Sequence, residues 1–131
     1  MSLTYNAAGV LVHYRDKFLL CKRSFFGSPL DGLWAVPGGR QEEGESLIET
    51  AAREFYEETT FFLRPHEIGK LLSTEGCEGR GHGTYHLYYY RSPILLRPSL
   101  DLEHEGYAYF TASELPPTTT AAVKKAILCL T

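Results

Sequence analysis

Three glutamates, Glu54, Glu57 and Glu58, stand at positions i, i+3 and i+4 of a segment whose apolar residues recur at helical spacing. On a wheel of about 100° per residue with Glu54 at the origin, Leu47 falls at about 20°, Glu58 at about 40°, Ala51 at about 60°, Phe55 at about 100° and Glu57 at about 300°. Glu54 and Glu58 therefore lie inside one edge of the stripe that must pack, and Glu57 stands beside it. Like charges at these spacings repel by a few tenths of a kcal/mol even on an exposed helix. At the margin of a core the penalty grows, because a partly buried carboxylate needs a partner. One arginine, Arg53, cannot neutralise three acids, so a hard divalent cation with oxygen ligands is the natural counter-charge. The simpler alternative is an acidic helix face in water. Against it stands Gly38-Gly39 upstream, where a backbone without side chains lets a main-chain carbonyl approach a metal or a phosphate.

Across residues 39–61 the order is Gly39, five residues, Glu45, seven residues, Arg53-Glu54, an apolar residue, any residue, then Glu57-Glu58. This pattern resembles the Nudix box, the signature of hydrolases acting on a nucleoside diphosphate linked to another group. The resemblance implies an α+β fold, a Nudix-type α/β/α sandwich with a mixed β-sheet between helices. It also implies that Glu54, Glu57 and Glu58 hold one or more magnesium ions, with manganese as the alternative, and that the carbonyl of Gly38 is a further ligand. Glu45 and Arg53 would support that set, Arg53 fixing carboxylate rotamers by charge-assisted hydrogen bonds. The metal would bridge phosphate oxygens and activate a water, while a free carboxylate takes the proton.

Family members differ in which glutamate is the base. Outside the box the candidate is Glu103, in a Glu103-His104-Glu105 stretch resembling the family's Glu-His segment, with Glu105 and a plain acidic loop as alternatives. Arg23, after the second expected strand, would face the substrate phosphates, and Gly39 would let the substrate approach the backbone. A surface arginine is the competing reading of Arg23. One position departs from the box: Thr60 replaces the glycine that suits a left-handed helix end. A β-branched residue adopts that conformation at a cost of about 1–2 kcal/mol, so the helix is expected to end differently, with the carboxylates upstream unaffected.

The substrate implied is a nucleotide with a diphosphate linkage. Subfamilies acting on ADP-ribose or diadenosine polyphosphates carry a proline or tyrosine beyond the box, and Glu75-Gly76-Cys77-Glu78 contains neither. That favours a nucleoside triphosphate or nucleotide sugar. The alternative function is a non-catalytic nucleotide-binding or regulatory module on the same fold, against which stands the full set of helix glutamates. A third, metal-dependent isomerisation, would need a cysteine beside the acids, and Cys77 is the candidate by position.

The elements that must position these groups read as follows. Residues 5–22 are β-formers interrupted by Arg15-Asp16-Lys17, a hairpin. A Gly- and Pro-rich loop over 25–32 precedes a short apolar stretch, 33–36, which Pro37-Gly38-Gly39 ends. Residues 46–59 form the clearest helix, opened by a Ser46/Glu49 capping box. Strands are expected at 67–74, 84–96 and 106–111, and a closing helix at 118–130. His82 and His86 lead into a strand, so helical metal-ligand spacing does not apply to them. Trp34 is expected in the core.

Composition sets the outer bounds. The chain has 131 residues, 44% apolar and 22% charged, and reads as one folded domain over 1–131. Cys21, Cys77 and Cys129 are isolated and odd in number, which excludes a disulfide framework and a CxxC zinc site and suits a reducing, cytoplasmic setting. Thirteen basic against sixteen acidic residues give a formal charge of -3, without the basic field that nucleic-acid binding needs. No apolar run reaches the ~18 residues of a membrane span. The partner expected is a small nucleotide, without nucleic acid or membrane, and a homodimer is allowed.

Overall fold

A computed structural model of the chain describes residues 4–27, 30–76 and 82–131. The central strand, β1 (Thr4–Tyr14), is apolar on both sides and therefore buried on both, as an interior strand covered by helices must be. It turns through Arg15 and Asp16 into the antiparallel β2 (Lys17–Arg23), the expected hairpin. β3 (Trp34–Ala35) pairs with β2, and β4 (Gly38–Arg40) lies antiparallel on β1. β5 (Gly69–Gly76) pairs with β6 (His82–Arg91), which runs parallel to β1, and β7 (His104–Thr111) pairs with β2. The sheet is mixed, with the order β3-β2-β1-β6-β5 and β4 and β7 joined at β1 and β2.

Two helices cover its faces. Alternation along β1 sends Ala8, Val10 and Val12 to the side of α1 (Leu47–Thr59), where they pack with Leu19, Ala51 and Phe55. Leu11 points the other way, into a second cluster with Phe18, Leu20 and Leu87 beneath Val123, Ala126 and Ile127 of α2 (Ala121–Cys129). Each large apolar side chain fully buried in these layers contributes about 1.5–3 kcal/mol relative to exposure. The result is the expected α+β sandwich, a mixed sheet between helices.

Three local expectations are corrected. Gly38 and Gly39 do not merely end a strand: with Arg40 they form β4, because β1 offers them a ladder at Gly9, Ala8 and Ala7. The strand expected over 84–96 stops at Arg91, where Ser92 turns its hydroxyl onto the Ile94 carbonyl at 2.6 Å. Thr60 does adopt the left-handed cap, with φ 68° and ψ 7°, although its Cβ is branched. Its N–H donates to the Tyr56 carbonyl at 2.8 Å, and Thr59 Oγ1 donates to the Phe55 carbonyl at 2.6 Å while accepting from Phe61 N–H. These bonds hold the left-handed turn in place, and Thr60 is exposed, its hydroxyl donating to the Thr59 carbonyl.

Candidate active site

The phase of α1 is fixed at its first turn. Glu49 N–H donates to Ser46 Oγ at 3.2 Å and Ser46 N–H donates to Glu49 Oε1 at 2.9 Å, the reciprocal capping box. With the phase set, the three glutamates meet three different environments. Glu58 is buried, 1% exposed. Glu54 is mostly covered and Glu57 projects into water, their side chains 17% and 54% exposed. This is the order the helical wheel requires.

β4 brings a bare backbone to the same place. A Cβ on Gly38 would stand 2.6 Å from the Ala8 carbonyl oxygen, and one on Gly39 would overlap the Glu54 carboxylate. Only glycine lets strand, strand and carboxylate approach this closely.

Arg53 ties the acids together. Its Nε donates to Glu45 Oε2 at 2.6 Å and its Nη2 to Glu45 Oε1 at 3.1 Å, a bidentate pair. Nη1 reaches Glu54 Oε1 at 3.0 Å and Glu57 Oε2 at 3.2 Å, and Nη2 also donates to the Arg40 carbonyl at 3.1 Å. Thr50 Oγ1 adds a bond to Glu45 at 2.7 Å. The guanidinium beside it is the main cause that holds the Glu45 carboxyl down at about 2, and Glu45 in turn raises the pKa of Arg53.

Glu58 has no basic partner, and its carboxyl lies against that of Glu54. Among the described residues, the buried side-chain polar atoms left without a hydrogen bond are its two carboxylate oxygens and His104 Nε2. Burial, then the charges of Glu54, Glu103 and Asp101, push Glu58 up to about 10. Burial raises Glu54 as well, with Arg53 opposing. His104 is buried, its Nε2 3.6 Å from Glu58 Oε1 and its Nδ1 3.1 Å from Asp101 Oδ1. Burial is the main influence on this imidazole and lowers it, with Asp101 acting the other way. A buried carboxylate with no donor is strongly unfavourable unless it binds a proton or a cation. Oxygen donors on Glu54 and Glu58, with the Gly39 backbone against Glu54, fit the hard divalent ion that the sequence implies.

A cleft of about 840 Å³ opens above this point. Gly38, Gly39 and Glu54 form part of its wall, and Arg23 and Glu103 another part, their side chains 3.9 Å apart. Tyr5, Phe26 and Tyr85 add aromatic surface. Glu105 lies outside the lining and pairs with Lys22 at 2.9 Å, so Glu103 is the one of the two that faces the cleft. Glu45, Arg53, Glu57 and Glu58 are not in the wall: the first two brace it, Glu57 is exposed, and Glu58 lies behind Glu54.

Local sequence does not reveal Asp101 or the inward turn of His104. The Glu-His pair was visible as a motif, but nothing local says that His104 faces Glu58. His86 is buried among Lys70, Ser73 and Asn6, away from the cleft. Trp34 packs edge-on against Phe110 and is only partly buried, at the margin of the second cluster and not within it. Burial, with the Glu58 and Asp101 charges, pushes the Cys21 thiol up to about 12, which leaves it inert. Cys77 and the side chain of His82 lie outside the described residues.

Comparison with known proteins gives a consistent picture. The model of the NUDIX domain matches residues 4–130. The phosphatase NudJ of Escherichia coli K12 is 40% identical over 61 residues, 47% of this chain and 38% of NudJ, so the match spans well under half of that relative. Among solved structures, a MutT NUDIX hydrolase from Burkholderia pseudomallei superposes with a TM-score of 0.84 at 23% identity, covering 98% of this chain and 99% of that one. The NUDIX domain of Shewanella oneidensis NrtR, complexed with ADP ribose, superposes at 0.77 with 19% identity, covering 100% and 91%. At these identities the superpositions speak for the fold.

Proposed function

The chain belongs to the NUDIX family, and from that membership and the carboxylates at the cleft we propose that it hydrolyses a diphosphate linkage in a nucleotide derivative, using a divalent metal ion. The observation that carries the reading is Glu58: a buried carboxyl with no basic partner, set against Glu54, which itself abuts the bare backbone of Gly39.

Glu54, Glu57, Glu58 and the Gly38 carbonyl would hold magnesium, or manganese in its place. When bound, such an ion neutralises phosphate charge as it develops and makes a water nucleophilic near neutral pH. Arg53 and Glu45 keep the carboxylates in fixed rotamers through the bonds described. Arg23, on the cleft wall, takes a phosphate oxygen of the substrate. Glu103, on the cleft wall, would receive the proton as water adds to phosphorus and the anhydride P–O bond breaks. The products are a nucleoside monophosphate with either pyrophosphate or the phosphorylated remainder. Tyr5, Phe26 and Tyr85 offer apolar faces for the nucleoside part. A nucleoside triphosphate or nucleotide sugar is the substrate class we favour, because the marker residues of the ADP-ribose and diadenosine subfamilies are missing after the box. A reducing, cytoplasmic setting suits Cys21 and Cys129, which are free thiols. No helix among the described residues is long and apolar enough to cross a membrane.

The test is a panel of nucleoside triphosphates, nucleotide sugars, ADP-ribose and dinucleoside polyphosphates with magnesium, followed by released phosphate or pyrophosphate. Metal-dependent turnover of at least one member is expected. Binding without turnover of any would establish the regulatory module instead.

A further inference from the structure

We propose that His104 supplies a nitrogen donor, through Nε2, to the divalent ion that Glu58 holds, and that Asp101 orients the imidazole for it. The inference rests on the metal reading of the site above and names a ligand beyond its oxygen set.

Asp101 is held in place by the turn that enters β7. Its Oδ1 accepts from Glu103 N–H at 3.2 Å, and its carbonyl accepts from His104 N–H at 3.4 Å. The same Oδ1 stands 3.1 Å from His104 Nδ1. A carboxylate oxygen only accepts, so the ring proton of this pair sits on Nδ1 and the lone pair is left on Nε2. That lone pair faces Glu58 Oε1 at 3.6 Å, and neither atom has a basic or N–H donor beside it, the neighbour of Glu58 being the carboxyl of Glu54. With Glu58 ionised, two acceptors thus confront each other in a dry interior, with side chains 0% and 2% exposed.

The distance separates two ways of filling this gap. A shared proton would draw the atoms to about 2.6–3.2 Å, the range of a hydrogen bond. Two donors on one ion, each about 2.0–2.2 Å from it, stand about 2.8–3.1 Å apart in octahedral geometry and about 3.3–3.6 Å apart in tetrahedral geometry. At 3.6 Å the pair lies outside hydrogen-bond range and at the upper end of the tetrahedral range, so an octahedral ion would draw the two atoms together by about half an ångström. Glu58, Asp101 and His104 also present ligand atoms that all lie within 4.8 Å of one another. Two carboxylates and a neutral imidazole carry the charge that one divalent ion offsets. A carboxylate on the far nitrogen of a histidine is the usual support of a metal-bound imidazole, since it fixes both tautomer and ring orientation. A nitrogen in the donor set shifts preference from magnesium toward manganese, cobalt or zinc.

The test uses the whole chain and Mn2+ alone, without nucleotide. Electron spin-echo envelope modulation of the bound Mn2+ reads directly whether an imidazole nitrogen is coordinated. The wild type is expected to show that modulation. His104→Gln is expected to lose it and to bind Mn2+ at least ~10-fold more weakly, while Asp101→Asn keeps the modulation with a loss of about 10-fold. Mn2+ bound stoichiometrically with no nitrogen modulation overturns the proposal, as does failure to bind Mn2+ at all. The wild-type spectrum decides even if His104→Gln does not fold. Nitrogen modulation in a protein that turns over no nucleotide would support this inference and count against the hydrolytic reading alone. Turnover with a nitrogen-free Mn2+ spectrum would do the reverse.

Discussion

Burying Glu58 with neither oxygen hydrogen-bonded means that the metal-free protein must keep it protonated, and this has a measurable sign. Its folded pKa is raised to about 10, against about 4.3 in an unfolded chain. A group that holds its proton more tightly when folded stabilises fully below the unfolded value, and that stabilisation is lost as pH rises toward the folded one. Glu45 has the opposite sign: lowered to about 2, it contributes above about 4.3 and loses that contribution only as pH falls toward 2, so it is constant over the neutral range. The melting temperature of the metal-free chain should therefore fall from pH 5 to pH 9, read by differential scanning fluorimetry in chelator, and Glu58→Gln should flatten the slope. A wild-type profile that rises over that range would contradict the assignment. Chemistry asks the reverse of the same residue. Glu58→Gln and Glu57→Gln should each lower metal-dependent turnover at least ~100-fold with the fold retained, because a charge and a ligand are lost together. Full activity in both variants would remove the carboxylates from the mechanism.

At the scale of elements, α1 ends on a residue that local preference disfavours. Thr60 sits at φ 68° with its N–H bonded to Tyr56, where glycine carries no Cβ penalty. Thr60→Gly should stabilise by about 1 kcal/mol, the relieved strain less the added freedom of the unfolded chain. An unchanged or lowered urea midpoint would mean that Thr60 contributes more through its hydroxyl, which donates to the Thr59 carbonyl at 2.5 Å. The same helix shows what was legible in the sequence. Its capping box, its phase and the order of burial among Glu54, Glu57 and Glu58 follow from residues within one or two turns of each other, so spacing alone reveals them. β4 was hidden because Gly38 and Gly39 look like turn residues until β1 is beside them. The approach of His104 to Glu58 was hidden for the same reason: it depends on β7 pairing with β2, a contact between distant parts of the chain. Thr60 is left-handed against its local preference because the bonds made by Thr59 and Tyr56 outweigh a propensity cost of only about 1–2 kcal/mol.

For the whole molecule, a formal charge of -3 looks unsuited to a polyanionic substrate. Much of that acidity is gathered on α1 and its approach loop, against the cleft wall that Gly38, Gly39 and Glu54 share. A bound divalent ion offsets part of that local charge without changing the sequence count. The sheet brings β4, α1 and the start of β7 to one end of the molecule, so that backbone, carboxylates and Glu103 converge though they come from separate stretches of chain. The central claim is that this convergence is a metal site for phosphate chemistry. It is tested most directly by an anomalous difference map from crystals of the chain grown with Mn2+ and a non-hydrolysable nucleoside diphosphate analogue. The account predicts a peak about 2.0–2.3 Å from carboxylate oxygens of Glu54 and Glu58, bridging to the diphosphate. Nucleotide seated in the cleft with no anomalous peak at those glutamates would contradict it.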